Sequence, residues 1–504
     1  MHDLLRDVAI SIASKGHGAL LSAKGDVLKK WPNNKEFSEN CTMISLSCKN
    51  IPRLPEVLKC QQLEYFYLHF NGDLLEIPGN FFEEMKELKV MDLTRACVSS
   101  LPPLENLRTL CLDQCILGDI TLVGQLLQLE ILSFTHSKFE ELPEEIGKLT
   151  RLRLLDLSWC SKLKVISPNV ISRLTSLEDL RMKDSFNGWV PEGVTGERSN
   201  ASLSELKDLP RLAALSIHVP DAGSIPRDLF TDKLKRYQIL IGASWNWYDM
   251  GETLNTLQLK LPTGCELDHG LEMLLKRSCE CLYLDGSEGA DNVAYHSGSE
   301  DFQQLKHLYV QNNAQYTHII TEEVVRHCNS STFVLSSSMA RNRVSMEEIV
   351  STKEYGCSPL KDIGSSAIPF QNLTTLEVVG CCNLKYLATY TIAKTLKQLR
   401  RMTVGACARM TEIVATTSDG DDAGNDGEIS FCQLQSLELD DLPSLQDFFS
   451  GNCIVKFPSL KTATIYGCPK LKINGFDWNS NPEIQGAHIR MKNRIKRLFV
   501  SLLP

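Results

Sequence analysis

A short motif, Leu-x-x-Leu-x-Leu, recurs along most of this chain and constrains its fold more than any other feature. About sixteen copies occur at intervals of roughly 19 to 26 residues, a spacing typical of solenoid proteins. In a strand, alternate side chains share a face, so the last two apolar positions of each copy point the same way. One copy cannot bury that face alone, and we therefore predict that the copies stack side by side.

This template and this period are those of the leucine-rich repeat. We predict an α/β solenoid, a leucine-rich-repeat horseshoe with a parallel β-sheet on its concave face. A proline follows the last apolar residue of several units, as in Leu142-Pro143, and indicates an extended convex segment rather than a sheet strand. The stretch Pro143–Leu149 is typical of the short helical turn that leads into the next strand.

Small residues occupy one fixed place, three positions past the last apolar residue of the motif. They are Asn71, Ala96, Cys115, Ser137, Cys160, Cys381, Cys407 and Cys468. We expect these side chains to turn inward at the bend, fill space and cap backbone groups. The recurring cysteines are therefore predicted to be free packing thiols in a reducing compartment, not disulfides, metal ligands or nucleophiles.

The repeats also suggest a domain organisation. Residues 329–368 are rich in serine and fall in a gap far longer than one repeat, and residues 489–503 mix basic and apolar side chains. We read the latter as part of a terminal cap, with a membrane-touching or acidic-partner element as the alternative. The predicted parts are a short helical piece at 1–40, repeats at 41–328, an irregular insertion at 329–368, repeats at 369–474, and a C-terminal cap or tail at 475–504.

Two stretches resemble a known family. Met1-His2-Asp3 resembles the Met-His-Asp motif that closes the nucleotide-binding module of plant coiled-coil, nucleotide-binding, leucine-rich-repeat disease resistance proteins, and Glu141–Cys160 is similar to their repeat consensus. The resemblance implies that 1–40 is the remnant of a winged-helix domain. It also implies a cytoplasmic receptor, with peripheral association at the plasma membrane left open, whose repeats recognise a pathogen effector or an altered host protein. These repeats would hold the receptor's own nucleotide-binding domain inactive.

The chain departs from that family in one large respect. It contains no Gly-x-x-x-x-Gly-Lys-[Ser/Thr] phosphate loop, so we predict no cofactor for the chain as it stands, although the family uses ADP and ATP. His2 and Asp3 would sense ADP only if the missing nucleotide-binding domain were present. This departure indicates a truncated gene product or an incomplete gene model, and it leaves a free-standing repeat adaptor or decoy as the alternative function.

Other function classes fit less well. We find no Gly-x-Ser-x-Gly or His-Glu-x-x-His motif, and we predict that the chain is not an enzyme. The net charge of −9 argues against general nucleic-acid binding, which favours a basic surface. No signal peptide or spanning segment is apparent, which disfavours the ectodomain of a surface receptor.

The non-leucine positions of the strands are expected to face the concave side and to contact a partner. The candidates are Tyr65, Tyr67, Asp92, Arg95, Asp113, His136, Trp159, Arg181, Lys183 and Tyr309, together with Asp156 and His307. Tyr67 and Trp159 stand out because exposed aromatic side chains contribute large contact areas. The alternative for both is that they pack on a neighbouring repeat.

Overall fold

The computed structural model describes thirteen stretches of the chain. They are residues 19–24, 41–49, 53–99, 101–191, 200–230, 233–242, 254–260, 269–285, 304–311, 372–415, 428–449, 454–472 and 476–477. The chain divides into two compact units, Met1–Met250 and Gly251–Pro504. Each unit contains one parallel inner sheet, described separately below.

The inner sheet of the first unit contains strands that lie side by side in chain order, every pair parallel. They are β1 (Ala19–Lys24), β2 (Cys41–Cys48), β3 (Tyr65–Phe70), β4 (Val90–Thr94), β5 (Thr109–Asp113), β6 (Ile131–Ser133), β7 (Leu154–Asp156), β8 (Asp179–Arg181), β9 (Ala214–Val219) and β10 (Arg236–Ile241).

The inner sheet of the second unit follows the same plan. Its strands are β11 (Thr256–Leu259), β12 (Cys281–Asp285), β13 (His307–Gln311), β14 (Thr375–Val379), β15 (Arg401–Gly405), β16 (Ser436–Asp440) and β17 (Thr462–Tyr466). Parallel neighbours need a connection that returns the chain to the same end, and where the connection is described an outer segment supplies it.

The outer segments form short strands and helical turns. The strands are Leu75–Ile77, Ala96–Val98, Ile116–Leu117, Glu141–Leu142, Val165–Ile166, Ala388–Thr389, Glu412–Ala415, Glu428–Ser430, Asp447–Phe449, Ile454–Lys456 and Phe476–Asp477. The 3₁₀ helices are Thr121–Gln125, Glu144–Lys148, Leu203–Asp208 and Ala222–Ser224, and the α-helices are His269–Arg277 and Tyr390–Ala393. Pro143 separates the outer strand 141–142 from the helix 144–148, as its missing N–H predicts.

The register of the inner strands explains why the repeats stack. Leu155 of β7 pairs with Leu132 of β6 and with Leu180 of β8, and all three side chains are fully buried. Each leucine thus covers the apolar surface of the units before and after it, a burial that contributes about 1.5–3 kcal/mol per side chain. These stacked parallel strands confirm the predicted leucine-rich-repeat solenoid.

The small residues at the bend behave largely as predicted. Cys115, Cys160 and Cys468 are buried, and each thiol donates to a main-chain carbonyl of the preceding repeat. The Sγ atom of Cys160, for example, lies 3.0 Å from the carbonyl oxygen of Phe134. Burial raises the pKa of Cys115 and Cys160 to about 12, so both remain protonated thiols at neutral pH.

The prediction for Asn71 was wrong. Its side chain is exposed, because β3 continues to Phe70 and that ring occupies the buried place instead. A Cβ atom at Gly72 would lie within 2.9 Å of the Phe70 ring, so the bend is already filled.

The first inner sheet begins inside the segment 1–40. Strand β1, at 19–24, pairs in parallel with β2, so the sheet extends upstream of the first predicted repeat at residue 41. The predicted N-terminal helix and the insertion at 329–368 lie outside the described residues, as does almost all of the tail at 475–504. The domain boundaries and the winged-helix origin of 1–40 stay predictions.

Replacement of Ser137 by alanine should destabilise the first unit. The buried Ser137 hydroxyl accepts from the N–H of Cys115 at 2.9 Å and donates to the carbonyl of Leu112, and both groups would lose their partner. We expect a loss of about 1–3 kcal/mol in the free energy of unfolding, measured by urea denaturation. Exposed Ser161→Ala is the control. Equal stability of the two variants would contradict this account of the bend.

Candidate functional site

One row of side chains crosses the inner sheet of the first unit on the face opposite the leucines. Strand register aligns its members, which are Tyr67, Asp92, Cys111, Ser133, Asp156 and Arg181. We call this row, together with the side of the sheet on which it lies, the open face. Of the predicted contact residues, Tyr65, Tyr67, Asp92, Asp113, Asp156 and Arg181 lie on its strands.

Carboxylates give the middle of the open face a negative charge. Asp92, Asp113 and Asp156 surround the buried thiol of Cys111 closely enough to raise its pKa well above the ordinary value, with burial the largest cause. The hydroxyl of Ser133 donates to Oδ1 of Asp113 at 2.8 Å and fixes that carboxylate.

Arg181 lies within an ion-pair network on the open face. Its Nη2 atom is 2.7 Å from Oδ2 of Asp179, its Nη1 atom is 3.7 Å from Oδ2 of Asp156, and its side chain is 17% exposed. Arg236 adds a second contact to Asp179 at 3.2 Å. The sequence did not single out Asp179 or Arg236, although both occupy repeat positions equivalent to that of Tyr65. The network ties β7, β8 and β10 together.

Four predicted contact residues lie in the turns that follow the strands, and not on the strands where they were predicted. Arg95, His136 and Trp159 have positive φ angles of 59°, 58° and 63°, and Lys183 lies two residues past the end of β8. The chain must reverse sharply after each strand, and the left-handed conformation allows the backbone to do so. The N–H of each left-handed residue then donates to a carbonyl of the next repeat, as from Trp159 to Lys183 at 2.6 Å.

Gln114 occupies the same turn position, with φ 56°, and was not among the predicted residues. The Nε atom of Arg95 donates to its Oε1 atom at 2.7 Å. One repeat further on, the His136 and Trp159 rings stack with centroids 5.5 Å apart and an interplanar angle of 5°. We call these four residues the turn ladder. Counting from the last leucine of each motif, rather than looking for strand positions, would have found all four.

The second unit has its own polar row on β11 to β14. Tyr309 stacks on Tyr283 with ring centroids 4.3 Å apart, and burial raises the pKa of Tyr309 to about 12. Within the described residues, Nδ1 of His307 and Oε1 of Gln258 are buried without a hydrogen-bond partner. Burial lowers the pKa of His307, which favours the neutral ring.

Glu377 follows Tyr309 in the same row, paired with it in register. Burial raises the pKa of its carboxyl, the negative charge of Glu438 raises it further, and Arg401 opposes both effects. Sequence reasoning did not identify this site, because a half-buried glutamate resembles any other polar strand residue until its neighbours are known.

His2 and Asp3 lie outside the described residues, so the expected ADP contact is untested. Within the described stretches, no three His, Cys, Asp or Glu side chains are grouped so that they could hold a metal ion. No helix there is long and apolar enough to cross a membrane.

Two family models for leucine-rich repeats match parts of this chain. A family model described as plant disease resistance protein RPS2-like, leucine-rich repeats, matches residues 356–474, and one described as a leucine-rich repeat region matches residues 82–240. Among solved structures, a Leptospira interrogans leucine-rich-repeat protein covers 88% of this chain and 98% of its own, with 18% identity and a TM-score of 0.48.

The curated relatives are plant disease resistance proteins. One from Arabidopsis thaliana is 24% identical over 81% of this chain and 42% of its own length. Another, a probable disease resistance protein of the same species, is 25% identical over 94% of this chain and 50% of its own length. The chain thus spans about half the length of the curated relatives that it matches.

Removal of the Arg181 guanidinium should destabilise the first unit strongly. In the Arg181→Ala variant, Asp156 and Asp179 remain largely buried but lose the positive charge of Arg181 that balances their negative charges. We expect a loss of about 3 kcal/mol in the free energy of unfolding. Arg153→Ala is the matched control, since Arg153 forms two hydrogen bonds with Glu178 at 2.9 Å in an exposed position. A loss no greater than that of the control, in urea denaturation, would count against the network.

Replacement of Glu377 by glutamine should stabilise the second unit at neutral pH. The pKa of Glu377 is higher in the folded chain than its ordinary value of 4.5, so the ionised carboxylate opposes folding and the protonated form does not. The variant should therefore unfold at higher urea than wild type at pH 7, and the difference should vanish as the pH falls below 4.5. Glu141→Gln, at an exposed site, is the control; a difference independent of pH would refute the assignment.

Proposed function

We propose that this chain is the protein-binding repeat region of a plant intracellular immune receptor. In this role the repeats recognise a pathogen effector, or a host protein that an effector has altered, and hold the receptor's nucleotide switch inactive until then. The observation that carries the proposal is the open face, an aligned row of side chains from six successive repeats. Tyr67, Asp92 and Arg181 are partly exposed in this row, whereas Cys111, Ser133 and Asp156 are buried. The disease resistance relatives support the setting in defence.

The chemistry of the open face supports binding rather than catalysis. The thiol of Cys111 is buried and its pKa is raised, which makes it a poor nucleophile. By contrast, Tyr67 and Trp159 are partly exposed, and large aromatic side chains of this kind dominate protein interfaces. Repeat surfaces of this type bind proteins through many shallow contacts, and ADP or ATP would be held elsewhere in the full receptor.

The second candidate is a free-standing repeat adaptor or decoy. The same open face serves this function, which requires no nucleotide-binding module. The two functions differ in one observable property. Only the receptor requires contact between the repeats and a nucleotide-binding domain, whether in the same polypeptide or supplied separately.

Substitutions on the open face and in the turns that follow its strands should remove a specific set of partners. We would fuse a proximity-labelling enzyme to the full chain in plant tissue, with and without pathogen challenge, and then measure the affinity of each purified partner directly. Tyr67→Ala and Trp159→Ala should each weaken binding at least about tenfold, since a lost anchor costs more than about 1.4 kcal/mol. Leu127→Ala, at a residue that is 54% exposed on an outer segment, should leave binding unchanged. Equal affinity of all three variants would contradict the proposal.

A further inference from the structure

We propose that the turn ladder, made of Arg95, Gln114, His136 and Trp159, is the docking edge for an extended acidic segment of the partner protein. This inference rests on the proposed function, because it assumes that the repeats bind a protein. It adds the place on the surface and the chemistry of the segment that binds there.

The backbone at the turn ladder does not call for large side chains. All four residues are left-handed, a conformation in which a Cβ atom is unfavourable and glycine is preferred. The second unit makes turns with positive φ using Gly380, Ala406, Asp441 and Gly467. Ala406 and Asp441 make the same backbone hydrogen bond to the next repeat as Trp159 does. The fold can therefore form this turn with small residues, as the first unit also does at Asp184 with φ 43°. The four successive repeats before it carry large planar side chains there, against the backbone preference.

The side chains of the turn ladder are held in place before any partner arrives. Arg95 and Gln114 are joined by a hydrogen bond of 2.7 Å, and His136 and Trp159 are stacked at 5.5 Å. Arg95, Gln114 and His136 are exposed, and Trp159 is half-buried. Side chains that are already ordered lose little conformational entropy on binding, which favours affinity.

The side chains of the turn ladder favour a partner segment that carries hydrogen-bond acceptors. Guanidinium, amide, imidazole and indole groups all donate N–H hydrogen bonds, and the Oε1 atom of Gln114 already accepts from Arg95. Of the four side chains, that of Arg95 carries a permanent charge, and this charge is positive. Carboxylates make the strongest hydrogen bonds to such donors, so aspartate and glutamate fit best. Neighbouring strands lie about 4.8 Å apart, and the four positions span roughly 15 Å, or about five residues of extended chain.

The double variant His136→Gly and Trp159→Gly separates a docking role from a structural one. Glycine suits the left-handed turn, so the urea midpoint of unfolding should stay close to that of wild type. The probe is a displayed library of random twelve-residue peptides, selected on the full wild-type chain. We expect the selected peptides to be enriched in aspartate and glutamate, and to bind the double variant at least about tenfold more weakly.

Two further variants keep the test decisive. Ala406→Gly makes the same change to glycine at a left-handed turn of the second unit, and should leave peptide binding unchanged. Arg95→Gln removes the positive charge but keeps N–H donors, and should weaken acidic peptides selectively even if the double variant proves unstable. Selected peptides that bind the double variant and Arg95→Gln as tightly as wild type would overturn the proposed docking role of the turn ladder. That result would leave the proposal that the repeats bind a protein intact. Enrichment of basic peptides, or no binders at all, would also overturn it.

Discussion

Every feature of this protein depends on the burial of one repeat's leucines against those of the next. A strand of three to eight residues is not stable alone, and here each strand is stable only between its neighbours. The fully buried Leu132, Leu155 and Leu180 show the arrangement in three successive repeats of the first unit. Because one face of the sheet is committed to this core, the opposite face is available for other roles.

The second constraint is the turn that ends each inner strand. Its left-handed residue donates its N–H to the next repeat, and the small buried side chain of the residue directly after it caps a carbonyl of the previous repeat. Trp159 and Cys160 are one such pair of adjacent residues: Trp159 makes the bond to the next repeat and Cys160 the bond to the previous one. The backbone of the turn is thus fully engaged, which leaves the side chain of the left-handed residue free to vary. This freedom explains how the turn can carry recognition groups without disturbing the core.

The sequence was sufficient to predict the inner strands from β2 onward, because a leucine at a fixed spacing has one low-energy place in a stacked array. It did not predict β1, which lies in the segment expected to be helical. It also identified the buried cysteines, whose position in the motif is fixed. It could not predict that Arg181 would be held by Asp156 and Asp179, because that network depends on register between strands rather than on local pattern. It placed Arg95, His136 and Trp159 on strands, since a left-handed turn is normally signalled by glycine or asparagine. The prediction that the Asn71 side chain is buried was also wrong, because the Phe70 side chain occupies that buried place.

The central claim is that the open face and its edge meet a partner protein in the cell. The most direct measurement places a photo-crosslinking amino acid at single positions of the full chain in plant tissue. Position 136 lies in the turn ladder, and position 127 is an exposed site on an outer segment. Our account predicts a discrete crosslinked product from position 136 and none from position 127. Crosslinking at 127 alone, or at both positions to the same products, would contradict it.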